Sequence, residues 1–548
     1  MNQCLLCKHS ILSVGYCQYC DPIDLCIVGG GISGLYITHK YISDNSVNKH
    51  ERIILLEQNK TLGGRIKTQY NSTHKKKVMF ERGPWRIHEK HKKTIRLCKE
   101  FNIHLRELSS SSKHAKKIVI RKRDTSSSQP FRYYNYLYNS FFSQWDFLSL
   151  FYSPQKANQE AQLSGYGDTL YNQMIHGNAY RVIDDKNYDS RFYYAKKGFS
   201  ELIRRLEKRI SYYKKNIIKT SHKVTDVMYD EKSKRYTLHI AKRNKNHFSK
   251  YVLQSKKLCI AIPPRFTHKW SIYKHLRLSF SLLDTSPLLH IYAKVEPLFL
   301  QKYIGTTSFH IKHDGISSQL ISSNYDNHLV QVCYTGGKNA ITLHRLNLHK
   351  PELLYERIIC DLSKLLGIDK EIIKQNVSQK LHVCYYPHAV HYWKPQYHNN
   401  KHHTSFLSTI CLHPLRLPYC YCVGEATSTI QGWIEGAMET CDLVFDELCK
   451  DRIQQYCQHS KSILNYNPDY VFYDNWMINV KNWISRHPGG NNAISDYKQK
   501  DITQLFHFLD HSKQALNLLS GLRTHIQYKN KLVSIYQLFE LSYHHVIE

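Results

Sequence analysis

The sequence predicts an α/β protein built on a parallel dinucleotide-binding sheet, and three observations predict it. The first is the stretch 24–34, Asp-Leu-Cys-Ile-Val-Gly-Gly-Gly-Ile-Ser-Gly. Its apolar run Leu25–Val28 reads as a buried parallel strand. Gly29, Gly31 and Gly34, with Ser33 between the last two, then form a Gly-x-Gly-x-x-Gly turn into a helix over Leu35–Tyr41. The second is Ile53–Leu56, an apolar strand ending in Glu57, 57 − 34 = 23 residues beyond the last glycine. The third is size: 548 residues at 42% hydrophobic content have room for two to four domains and at least one large core.

Each glycine has its own task. The first permits the tight turn, the second lets backbone N–H groups approach a pyrophosphate at the helix N-terminus, and the third allows close helix–strand packing. A carboxylate at Glu57 can take both ribose hydroxyls, so the expected ligand is an adenine dinucleotide. A lone glycine triplet could be an ordinary turn, but here strand, helix and acidic strand end fall in register.

Composition narrows the setting. The chain contains no run of eighteen apolar residues, and it opens Met-Asn-Gln-Cys without a basic-then-apolar leader, which predicts a soluble, intracellular, cytoplasmic protein with no membrane span. Sixteen scattered cysteines point to reduced thiols and one metal site more than to a disulfide scaffold. A net charge of +33 fits either an anionic partner or a lysine-rich solvated surface. The lysines are spread out, with tight clusters only at His74–Lys77 and Arg121–Arg123, which favours the solvated surface.

In chain order, residues 1–22 carry Cys4-x-x-Cys7 and Cys17-x-x-Cys20. Two such knuckles can complete a tetrahedral Cys4 zinc site, with two disulfides or unconnected thiols as the other readings. A module this small holds no core, so metal would be its fold and docking its task. After Glu57 come Leu62-Gly63-Gly64-Arg65 and Phe80-Glu81-Arg82-Gly83-Pro84-Trp85-Arg86-Ile87. Residues 110–190 have poor periodicity and read as a loop followed by a helical insert. Val224–Val227 and Arg235–Ile240 read as a β-hairpin, Leu258–Ile262 as a buried strand ended by Pro263-Pro264, and Leu288–Glu296 and Leu329–Thr335 as further strands. Tyr421-Cys422-Val423-Gly424-Glu425-Ala426 continues into Gly432-Trp433-Ile434-Glu435-Gly436.

These motifs, over roughly 23–450, resemble the flavin-containing amine oxidase superfamily, and Gly83–Leu108 is most similar to the L-amino-acid oxidases. The resemblance implies an FAD-binding Rossmann-type domain with an interleaved α+β substrate domain, inserted at about 85–200 and 265–415. It implies non-covalent FAD, because no Cys-Tyr attachment pair precedes Tyr421. Gly64 and Arg65 would approach the FAD phosphates, Gly83 would line the flavin, and Val224 would meet the adenine. Gly424 and Glu425 would lie near the pyrophosphate, and Gly432, Trp433 and Ile434 against the flavin. Arg86 would fork a substrate carboxylate, or else be a structural or flavin-facing arginine. Trp433 would wall the substrate site, with Trp393 a second wall or a buried aromatic. The lysine that many members hold near flavin N5 is replaced by Leu289 or His290 when Glu296-Pro297 sets the alignment, with Lys294 brought in by a slip of that alignment.

Residues 451–467 read as a linker. Residues 468–548 resemble cytochrome b5: Tyr470–Tyr473, a turn at Asp474-Asn475, Met477–Trp483, then His487-Pro488-Gly489-Gly490, Phe506 and His511. The histidines are 511 − 487 = 24 residues apart, the interval of that family's axial ligands, which implies haem b in a small α+β domain. The whole is read as an oxidoreductase that takes hydride from a small amine or L-amino acid to flavin N5 and passes electrons to the haem, an acceptor protein or dioxygen. The other readings are a polyamine or alkene-desaturating flavoenzyme, an FAD-containing binding protein recruited to an anionic partner, and a haem domain that senses or scaffolds.

Overall fold

The computed structural model describes residues 2–7, 10–11, 20–44, 50–70, 78–108, 191–243, 248–281, 283–304, 310–313, 315–322, 328–394, 417–449, 470–473, 476–480 and 523–527. It also describes parts of 143–172 and positions 408, 411–412, 414 and 502.

The strand Ile23–Val28 is the centre of a nine-stranded sheet. Ile53–Leu56 pairs with it in parallel on one side, Leu25 opposite Ile53 through Val28 opposite Leu56. The second half of Phe248–Ile260 pairs in parallel on the other, Ser255 opposite Ile23 through Ile260 opposite Val28. Strands buried on both faces carry unbroken apolar runs, which is why Ile53–Leu56 is Ile-Ile-Leu-Leu and fully buried. One face packs under the helices Ile32–Ser43, Ser200–Tyr213 and Ile434–Cys449, around Leu25, Ile27, Leu206 and Val444. The other face packs Cys26, Val28 and Ile54 against Leu238, Trp270 and Trp393.

Phe248–Ile260 has two roles. Its first half pairs antiparallel with Arg235–Arg243, the second arm of the hairpin that begins at His222–Asp230. Its second half is parallel, with Cys420–Cys422 alongside Leu258–Ile260. The change of partner brings the 421–434 motif to the strand ends beside Gly29.

The N-terminal cysteine segment is not a free-standing knuckle. Asn2–Cys4 adds a strand to the same sheet, Gln3 opposite Tyr251 and Cys4 opposite Val252, and Ser10–Ile11 pairs back onto it. Leu5 is buried in the core that holds Ile23 and Trp393.

A second, antiparallel sheet has the order His310–Lys312, Gln319–Ser322, Leu329–Gly336, Leu283–Lys294, His382–Trp393. Leu289, Ile291 and Ala293 pack its helices Gly337–His349, Pro351–Leu366 and Lys370–Asn376 into a separate core. The helix that begins at Pro351 ends at Gly367, whose φ of +67° suits a glycine C-cap. Ile87–His88 and Leu105–Glu107 pair with Phe192–Ala195 in a small antiparallel sheet. Of the C-terminal unit, Tyr470–Tyr473, Trp476–Asn479 and Arg523–Gln527 form a three-stranded antiparallel sheet.

Candidate active site

The glycine turn forms a lined opening at the start of the Ile32–Ser43 helix. Gly29 has φ +113°, and a Cβ there would lie 2.6 Å from the Ala261 carbonyl oxygen. At Gly34 a Cβ would lie 1.9 Å from the Gly29 carbonyl, so helix and strand touch backbone to backbone. Gly31 is the opposite case: a Cβ there would meet nothing within 4 Å. Gly64 (φ +59°) would meet only the Gly31 Cα at 3.4 Å, and Gly424 (φ +143°) only Ser33 Oγ at 3.9 Å. These three glycines and Ser33 leave open, backbone-lined space at a helix N-terminus that has no side-chain cap and no acidic residue in its first turn. Uncapped N–H groups at the positive end of a helix suit a pyrophosphate.

Glu57 stands at the next strand end. Its Oε2 accepts from Gly30 N at 2.7 Å, and its Oε1 accepts from the backbone and side-chain nitrogens of Asn59 at 2.8 Å each. The Glu57 carbonyl accepts from His222 N at 2.8 Å, which brings the strand bearing Val224 alongside. A register shift falls between Val224 and Asp226. Glycine cradle, acidic strand end and neighbouring Val224 together fit the pyrophosphate, ribose and adenine of FAD.

A buried carboxylate joins the cradle to the second sheet. Arg65 Nη1 donates to Glu425 Oε1 at 2.6 Å and to the Ala389 carbonyl at 2.6 Å. His391 Nδ1 lies 2.6 Å from the same Oε1, and Gly432 N donates to Oε2 at 2.7 Å. Burial alone would raise the Glu425 carboxyl, but the Arg65 guanidinium and His391 hold it well below the usual carboxylate range. His391 carried no signal in the sequence. Its Nε2 is buried with no hydrogen-bond partner among the described residues.

Two expected catalytic residues are more deeply placed than a site wall. Trp393 is fully buried, its backbone N donating to Gln431 Oε1 at 3.1 Å and its indole N–H to the Ser428 carbonyl at 3.2 Å. It fastens the loop between Glu425 and Gly432 and packs in the core. His290 is buried on Leu283–Lys294, edge-on to Tyr334 at 4.7 Å, with Gln331 Nε2 3.4 Å from its Nδ1. Burial pushes its pKa down to about 3, and its Nε2 has no hydrogen-bond partner among the described residues. Leu289 turns the other way, into the helix-covered core, and Lys294 is exposed at the strand end. Of the three positions considered for the lysine, only His290 is buried on the face that also carries Tyr292, which stacks on Phe80.

Arg86 sits among aromatic rings. Its guanidinium carbon is 4.5 Å from the Phe192 ring centre, 4.9 Å from that of Trp85 and 6.0 Å from that of Trp433. The pairing of His88 with Phe192 brings that ring in. Glu435 sets the opposite wall by capping the Lys92–Glu100 helix: it accepts from Lys93 N at 3.0 Å, Thr94 N at 2.8 Å and Thr94 Oγ1 at 2.7 Å. This ties Trp433, two residues earlier, to the segment bearing Arg86. His91, at the helix start, is edge-on to Trp433 at 4.6 Å, and its Nδ1 accepts from His88 N at 3.3 Å. Burial, then the nearby His88 and Arg86, push its pKa down to about 3, so His91 is neutral and Arg86 supplies the fixed positive charge. Neither His91 nor Phe192 was named from the sequence, although Gly-Pro-Trp-Arg-Ile-His-Glu-Lys-His contains His91.

Outside this site, the Sγ atoms of Cys4, Cys7 and Cys20 lie within 4.8 Å of one another. Cys17, and the haem-ligand candidates His487 and His511 with Phe506, lie outside the described residues.

Comparison with known proteins bears on the family and the fold. Family models match for an NAD(P)-binding Rossmann-like domain over residues 27–101 and for flavin containing amine oxidoreductase over 148–443. A cytochrome b5-like heme/steroid binding domain matches over 454–529. A wild-type putrescine oxidase bound to putrescine superposes with TM-score 0.57 at 12% identity, covering 78% of this chain and 98% of that one. Cyclohexylamine oxidase from Brevibacterium oxydans IH-35A superposes with TM-score 0.55 at 13% identity, covering 78% and 99%. At such identities the likeness is one of fold. No curated protein matches the chain in sequence.

Proposed function

The chain belongs to the flavin containing amine oxidoreductase family and carries a cytochrome b5-like domain, and from that premise we propose that it oxidises an α-amino acid at its Cα–N bond. The observation that carries the choice of an amino acid is Arg86. Its guanidinium is stacked against Phe192 and Trp85, a geometry that suits an in-plane, bidentate grip on a carboxylate.

FAD would be held non-covalently by Gly29, Gly31, Ser33, Gly34, Glu57, Gly64, Arg65, Gly83, Val224, Gly424, Glu425, Gly432 and Ile434, and it supplies the two-electron acceptor. The chain's own residues then bind, orient and keep water away. Arg86 anchors the carboxylate, while Trp433 and Phe192 confine the Cα substituent and exclude solvent. Neutral His91 braces Trp433 without adding a second charge that would disfavour the amine. Positioning of this kind can supply much of a barrier reduction. Lacking the usual lysine, His290 would stand beside the reacting ring's neighbourhood as a neutral imidazole.

His487 and His511 would hold haem b as a one-electron carrier, with an acceptor protein or dioxygen downstream. Cys4, Cys7, Cys17 and Cys20 would hold Zn2+. No disulfide joins the thirteen described cysteines, in keeping with a reducing, cytoplasmic setting. Among the described residues no helix is long and apolar enough to cross a membrane. The +33 charge is spread along the chain, as on a solvated surface, and an anionic partner is the second reading of it.

The test is an anaerobic absorbance titration of the purified protein with L-amino acids, their carboxylate-free amines and polyamines. Flavin bleaching by amino acids, followed by sharpening of the reduced-haem bands, is the expected result. Bleaching by putrescine but by no amino acid would overturn the carboxylate reading.

A further inference from the structure

We propose that Cys4, Cys7 and Cys20 bind a metal ion that staples the flavin-binding sheet, so that retention of FAD depends on the metal. The proposal rests on reading these cysteines as metal ligands and adds what the metal does. Three thiols from two separate chain segments converge within 4.8 Å, and thiolate sets of this kind select a soft divalent ion, Zn2+ above all.

The location gives the site its consequence. Cys4 ends the strand that lies on Val252, with Leu5 N donating to the Val252 carbonyl at 3.0 Å. Cys20 lies three residues before Ile23, the first residue of the nucleotide strand, and Ile23 pairs with Ser255. Val252 and Ser255 belong to one strand and are 255 − 252 = 3 residues apart, or about 10 Å at the usual rise. The strands Asn2–Cys4 and Ile23–Val28 therefore sit end to end along one edge of Phe248–Ile260. Cys20 follows Cys4 by 20 − 4 = 16 residues in sequence, and the strands they adjoin lie on that same edge.

Two register pairs from a three-residue strand do little by themselves to offset the entropy of closing a chain segment of this length. A metal joining Cys4 and Cys7 to Cys20 closes it, and the binding energy becomes folding energy as the thiols give up their protons. What it secures is the entry to Ile23–Val28, the strand that runs directly into Gly29–Gly34.

The experiment uses the full-length, FAD-loaded protein. Metal analysis and Co2+ exchange read the site, and flavin fluorescence during heating reads FAD release. We expect one zinc per chain, a thiolate-to-Co2+ charge-transfer band, and a flavin-release midpoint lowered by about 5 °C or more on chelation or in Cys7→Ser. Added zinc should restore the chelated wild type but not Cys7→Ser; if that variant does not fold, the chelation and restoration arm decides. Absence of both zinc and the Co2+ band would overturn the ligand reading. Bound zinc with an unmoved flavin-release midpoint would overturn the staple and leave the ligand reading standing.

Discussion

Replacing Arg86 by lysine separates a carboxylate fork from a residue that merely supports the flavin. Lysine keeps the charge but loses the planar pair of N–H donors and the stacking seen at 4.5 Å on Phe192 and 4.9 Å on Trp85. One lost charge-assisted hydrogen bond costs about 1.5–3 kcal/mol, and lost stacking about 0.5–1 kcal/mol. Together these are about 2–4 kcal/mol, or a fall in kcat/KM of roughly 30- to 1,000-fold for an amino acid. The assay is the anaerobic rate of flavin reduction, with each amino acid paired to the amine that lacks its carboxylate. For the amine, kcat/KM should change by less than about threefold, because it never engages the guanidinium. Equal losses on both members of the pair would refute the fork and place Arg86 among the structural or flavin-facing arginines.

Four further outcomes follow from the same geometry. Gly31→Ala, at a position with ordinary φ and no atom within 4 Å, should leave the apoprotein's melting temperature within about 2 °C while weakening FAD binding at least about tenfold by equilibrium dialysis; Gly34→Ala, aimed 1.9 Å from a carbonyl, should fail to fold. Glu425→Gln leaves Arg65 and His391 facing a neutral amide and should cost about 3–5 kcal/mol, measured by denaturant unfolding of the holoprotein. Glu435→Gln weakens a helix cap that takes three donors and should cost about 1–2 kcal/mol, with a matching change in Trp433 fluorescence. His91 and His290 are both lowered to about 3 against 6.5 unfolded, so each contributes stability that is fully present above pH 6.5 and lost as pH falls toward 3. His290→Leu should therefore flatten the acid slope of stability by up to about 1.4 kcal/mol per pH unit in that window.

The cradle was legible because its parts are local and periodic. Ile53–Leu56 forms over the expected residues with Glu57 at its end, and the hairpin at Val224 and Arg235 forms as read, with longer arms. The first half of Phe248–Ile260 escaped notice because its apolar run is only Tyr251–Leu253, flanked by Ser249 and Lys250 on one side and Gln254 and Ser255 on the other. The helices over 337–376 went unread: the strand Leu329–Gly336 is followed at once by Gly337, at φ +62°, which opens a helix.

What could not be read is the set of contacts between distant segments. Arg65 and Glu425 are 360 positions apart, and His391 reaches Glu425 only because Leu283–Lys294 and His382–Trp393 pair antiparallel and return the chain from the second sheet to the first. A carboxylate in that position would be too costly to bury alone, so two cationic or hydrogen-bonding partners from distant segments must arrive together. The same logic explains Glu435: its three donors lie at the start of a helix more than 340 positions earlier. Both acidic residues were visible in the 421–436 motif, yet their partners were not. The motif thus marks where the two halves of the site are fastened, and disturbance of either carboxylate should reach Trp433 and the cradle together.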